Sequence, residues 1–87
     1  MMVNSNDVHS VSEKPMRITR IVSVILNGVV FNQLARQNGN DVNAMADAVI
    51  LNLSENVQKN ILSHEIALVD HSLRKEIGRR IDLAQAA

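Results

Sequence analysis

His64 and His71, with Glu65 and Asp70 beside them, are the residues whose types could hold a metal ion. Their spacing of seven positions argues against it, because two helical turns place them about 10 Å apart along a helix axis. Helix-borne ligands of one ion normally sit a single turn apart. A solvated or interface setting is therefore expected for both imidazoles. Asp70-His71-Ser72 contains the residue types of a hydrolytic triad, but consecutive helical residues point about 100° apart and form no relay by themselves. Capping and an i, i+4 pair with Arg74 account for them equally well. Gly28, Gly39 and Gly78 are scattered and build no phosphate loop, and no cysteine is present to supply a thiolate. The expectation is a protein that is not an enzyme and takes no metal or cofactor.

Arg74, Lys75, Arg79 and Arg80 are the residues that could contact nucleic acid, since a basic helical face neutralises phosphates. Two acids compete for them. Asp70 with Arg74 and Glu76 with Arg80 are acid-first pairs four apart, an arrangement that stabilises a solvated helix by roughly 0.2–0.5 kcal/mol per pair. Phe31 is the only aromatic residue, so no rings are interleaved for stacking on single-stranded bases.

These groups must be positioned by residues 41–84, a run without proline whose only glycine is Gly78. Apolar residues return there at spacings of three and four, the period of a helix. Val42, Ala46, Val49 or Ile50, Leu53, Val57 and Ile61 trace one stripe, continued by Leu62, Ile66, Val69, Leu73, Ile77, Ile81 and Ala84. Leu51, Leu62, Leu73 and Ala84 recur every eleven residues, closer to the natural helical repeat than a heptad and unfavourable to a left-handed zipper. The run is either one helix of about 65 Å or two, with the break inside residues 54–64. Ser54, Asn60 and Ser63 offer side chains there that cap free backbone amides.

Upstream, Pro15 sits where a helix readily begins, and residues 15–37 read as one helix. Arg20, Ser23, Asn27, Gln33 and Gln37 form its narrow wet stripe, and the remaining circumference is apolar. A helix of that kind needs cover on more than one side. Asn27-Gly28 between β-branched runs is also a hairpin signal. Strict alternation fails around it, with Ile21-Val22 and Val24-Ile25-Leu26 adjacent, which favours helix. Asn38-Gly39-Asn40-Asp41 marks a reversal: Gly39 suits the left-handed conformation that closes a helix, and Asn40 or Asp41 can cap the next one.

Charge is balanced overall, with nine basic and nine acidic residues, but it is unevenly placed. Residues 14–36 carry only bases, Lys14, Arg17, Arg20 and Arg36, whereas residues 41–70 carry Asp41, Asp47, Glu55, Glu65 and Asp70 against Lys59 alone. A basic helix packing beside an acidic one is the simplest consequence. Residues 1–13 are polar and mixed and read as a flexible tail, leaving 14–87 as a single helical oligomerisation domain. The apolar stretch 21–31 falls short of the ~20 residues that span a bilayer, and no small-residue cleavage pattern follows it. A cytoplasmic protein without membrane contact is expected.

Lys14-Pro15-Met16-Arg17, then Asn38-Gly39-Asn40-Asp41-Val42-Asn43, then Leu73-Arg74-Lys75 resembles the order of short segments in the Fis family of bacterial nucleoid proteins. That resemblance implies a helical dimer reading DNA through a helix-turn-helix. Between Asn43 and Leu73, however, the chain is too short for both the family's dimer helix and the first helix of that unit.

At 87 residues the chain buries only about 60–65% of the surface its unfolded form exposes. Without disulfides or Trp and Tyr, self-association is the usual remedy. The reading is an all-α protein, a helical hairpin or three-helix chain with a long C-terminal helical segment, assembling as an intertwined dimer or helical bundle. Val29, Val30, Phe31, Leu51 and Leu62 are expected at the oligomer interface. The expected function is non-enzymatic protein–protein interaction as an adaptor, chaperone or regulator, with itself and possibly another protein as partner. The alternative is a small DNA-associated transcriptional regulator using the C-terminal basic helix.

Overall fold

The computed structural model describes residues 16–86, so the expected tail at 1–13 and the helix start at Pro15 lie outside the described residues. The chain is all-helical, and no strand forms among those residues. In order come α1 (Met16–Asn27), α2 (Phe31–Gln37), α3 (Val42–Leu51), α4 (Glu55–Asn60), a 3₁₀ turn (Ser63–Glu65) and α5 (Ile66–Ala86). The long C-terminal segment is α5, at 21 residues.

The single helix expected over 15–37 is in fact two, α1 and α2, bent by 77°. Gly28 N–H donates to the Ile25 carbonyl at 3.3 Å and Val29 N–H to that of Leu26 at 3.1 Å, tightened bonds typical of a helix end. Val30 then takes extended backbone with φ −82° and ψ 96°. Asn27-Gly28 is thus a turn, as its residue types signal, but it joins helices rather than strands. The bend also removes the need to cover a straight apolar helix all round. Ile18, Val22, Ile25 and Leu26 of α1 and Leu34 and Ala35 of α2 all reach one core, while the five stripe residues Arg20, Ser23, Asn27, Gln33 and Gln37 stay exposed.

The reversal after α2 forms where expected. Gly39 and Asn40 both adopt left-handed backbone, at φ 61° and 60°, and the Asp41 carboxylate caps α3 by accepting from Asn43 N–H at 3.0 Å and Ala44 N–H at 3.2 Å. Residues 41–84 are neither one helix nor two, because the chain breaks twice. Ser54 Oγ accepts from Val57 N–H at 3.3 Å to start α4. Beyond Asn60 the chain extends through Ile61 and Leu62, and the Glu65 carboxylate reaches back to Leu62 N–H at 3.0 Å to start the next helical segment.

Each break resets the helical phase, so the eleven-residue recurrence marks no continuous seam. Leu73 is fully buried, whereas Leu51, Leu62 and Ala84 are exposed. The three- and four-residue stripe survives better, since Val69, Leu73, Ile77 and Ile81 line the buried side of α5. They pack against Met45, Ala46 and Val49 of α3 and the α1 and α2 residues above. Met45, Leu73 and Ile77 are the largest fully enclosed side chains. No single helix among the described residues is long and apolar enough to cross a membrane.

Two glycines make opposite predictions. Gly39 sits at φ +61°, a conformation costing an L-residue roughly 1–2 kcal/mol. A Cβ on Gly78, inside α5, would meet only Val42 Cγ2, at 3.9 Å, and Ala is about 1 kcal/mol better than Gly in a helix interior. Urea unfolding is expected to show Gly39→Ala destabilised and Gly78→Ala stabilised, each by about 1 kcal/mol.

Candidate interaction surface

The four C-terminal cations are distributed around α5 rather than gathered on one face. At about 100° per residue, Arg74 and Arg80 lie some 120° apart, with Lys75 and Arg79 on the far side of the helix from the arc between them. Arg74 is half-buried and fully occupied. Its Nε donates to both Asp70 carboxylate oxygens at 3.2 Å, its Nη1 to Asn43 Oδ1 at 3.0 Å, and its Nη2 to Asp47 Oδ1 at 2.8 Å. The last two contacts join α5 to α3, and the hydrogen bonds to Asp70 and Asp47 raise the guanidinium pKa further.

Glu76 holds the next two cations. It accepts from Arg79 Nε and Nη2 at 2.9 and 2.6 Å and from Arg80 Nε at 2.9 Å. These bonds, Arg79's first, draw the Glu76 carboxyl down from 4.5 to about 2. Arg80 also spans to α2, its guanidinium carbon lying 5.9 Å from the Phe31 ring centroid, within cation–π range. The Asp70–Arg74 and Glu76–Arg80 pairs are those the i, i+4 spacing implies. Lys75 alone of the four is exposed without an ion pair among the described residues.

A second charged cluster was not legible from the motifs. Glu65 is the buried charged residue of the described chain, at 4% exposure. Arg17 Nε of α1 donates to its Oε2 at 2.7 Å, while Arg17 Nη2 donates to the Asn60 carbonyl at 2.8 Å. One guanidinium therefore ties α1 to the end of α4 and to the start of α5. The Arg17 bond, then the Leu62 N–H bond, lower the Glu65 carboxyl pKa, and the pair is the one direct ion pair between the basic segment 14–36 and the acidic segment 41–70 among the described residues. Its available signal was Glu65 itself, placed three residues after a chain break where a carboxylate bonds back to a free amide.

His64 and His71 are both exposed, and no three potential ligands of a metal converge among the described residues. Asp70, beside His71 and Ser72, is committed to Arg74.

Three shallow grooves are formed among the described residues. The first, about 490 Å³, lies between α3, α4 and α5 and is walled by Ile50, Leu51, Ile61, Ile66, Val69 and Leu73. The second, about 410 Å³, opens at the α1–α2 bend, where Val24, Val29, Val30 and Val57 share the lining with Gln33, Gln37 and Asn52. The third, about 460 Å³, has Phe31 and Ile81 beneath Asn32, Arg36, Asn40 and Gln85. The five residues expected at an interface are thus not one patch. Val29 and Val30 line the second groove, Phe31 the third and Leu51 the first. Within the chain Val29 and Phe31 are half-buried, whereas Val30, Leu51 and Leu62 are 68%, 83% and 48% exposed.

Because three of the four C-terminal cations already face carboxylates, duplex DNA has little unpaired positive charge to gain there. Fluorescence anisotropy with a labelled random duplex is expected to give a flat titration at about 100 mM salt, where a phosphate-binding face would give salt-dependent retention that Arg79→Ala with Arg80→Ala weakens. No protein-family model, no curated protein and no solved structure matches the chain.

Proposed function

We propose that this chain is a small non-enzymatic helical module that self-associates, a dimer being the simplest assembly, and acts through protein–protein contact as an adaptor, chaperone or regulator. The observation that carries this reading is the groove between α3, α4 and α5, whose apolar walls include Leu51 and Ile66 at 83% and 61% exposure. Large side chains left in water beside an apolar groove are the usual mark of a surface that another protein covers. The small core adds to the argument, since a chain of this size with no disulfide gains stability by association. The cytoplasm is the setting that fits this reading. DNA-linked regulation is the alternative, and it would use Lys75 and whatever cations leave their carboxylates.

Light scattering of the full chain at micromolar concentration is expected to give the mass of a dimer or larger species, with a melting temperature that rises with concentration. A cooperatively melting monomer, unchanged across that range, would contradict the proposal.

A further inference from the structure

Of the three grooves, the one between α3, α4 and α5 is the driest. Its lining has two polar residues, Gln58 and Asp70. Both are engaged within the chain: Gln58 Nε2 donates to the Leu53 carbonyl at 2.8 Å, and Asp70 accepts from Arg74. Covering this groove therefore does not strand the amide nitrogen or the carboxylate. The other two present amides or the Arg36 cation, which a covering partner would have to match.

The same region carries its own knob. Leu51 is both a wall of the groove and, at 83%, the most exposed large apolar side chain among the described residues. A knob on the rim of its own hole is satisfied by a two-fold axis, which puts each copy's Leu51 at the other's groove. The α4 helix between them carries Glu55 and Lys59, both exposed and neither in an ion pair among the described residues. They stand one turn apart, about 6 Å along the axis. When two copies of such a helix pair antiparallel, each acid meets the other copy's base at the same level.

Resting on the self-association reading, we infer that the partner at this groove is a second copy of the chain, docked about a two-fold axis at α4 with Leu51 inserted reciprocally and Glu55 paired with Lys59 of the other copy. Ile66, at 61% exposure, is a wall of the same groove. Val30, in the wetter groove at the α1–α2 bend, lies outside it.

Sedimentation velocity on full-length variants tests this, with circular dichroism as the check on folding. Leu51→Asp places a charge where the partner's apolar wall must sit, and is expected to weaken the dimer by about a hundredfold or more. Its helicity should persist because the side chain is exposed in the single chain. Val30→Asp should leave the dimer intact. Glu55→Lys and Lys59→Glu, each alone, oppose like charges twice and should weaken it about tenfold. An equimolar mixture of those two variants should recover a dimer of wild-type affinity, because every contact across the axis then pairs opposite charges. That recovery is inaccessible to a purely intrachain effect.

If wild type dimerises but Leu51→Asp remains dimeric, or Val30→Asp dissociates instead, this face is wrong while self-association stands. Failure of the mixture to recover overturns the antiparallel pairing. A monomeric wild type removes the self-association reading itself, and this inference with it.

Discussion

What constrains this fold is the scarcity of material for a core. Phe31 is the only aromatic and there is no cysteine, so aliphatic side chains and Met45 must enclose one another without large rings or cross-links. The outcome is one cluster in which Leu73 and Ile77 of α5 and Met45 of α3 are fully enclosed. Helices α1, α2 and α3 each place their buried residues in that cluster. The amphipathic period of α5 is therefore the feature on which α1, α2 and α3 all depend.

Charge completes what this core cannot reach. The α4 helix has no fully buried residue of its own, and its C-terminal end is held by the Arg17 guanidinium on the Asn60 carbonyl. Arg17 can do this because the buried Glu65 carboxylate orients it and is itself satisfied by Leu62 N–H. A buried carboxylate without those donors would be strongly destabilising. Within α5, Arg74 bridges that helix to α3 through Asp47 and Asn43. These two arginines serve as interhelical ties, and the pairing of Arg74 with Asp47 and Asp70 and of Arg79 and Arg80 with Glu76 leaves the C-terminal helix with less free positive charge than its composition suggests.

The sequence was informative where one interaction is local and periodic. The buried side of α5, the capping of α3 by Asp41 and of α4 by Ser54, and the left-handed Gly39 all follow from residue types a few positions apart. Helix breaks were harder. At residues 28–30 the apolar pattern runs on through the bend, and Asn27-Gly28, which marks it, reads equally as a hairpin turn; burial of both arms in one core decides in favour of bending. Leu51 and Leu62 look like successive members of one repeat with Leu73, yet the extended segments between them rotate the faces apart. The Arg17–Glu65 tie joins residues 48 apart, beyond the reach of any spacing argument.

The same economy leaves Leu51 and Ile66 in water on the walls of one dry groove, and the central claim is that a second copy supplies the missing cover. Amide hydrogen exchange read by mass spectrometry over a concentration series tests it most directly, because it reports cover at each segment in the unmodified protein. The account predicts that protection of residues 51–66 rises as the chain is concentrated from nanomolar to micromolar. Protection profiles that superimpose at every concentration would contradict it.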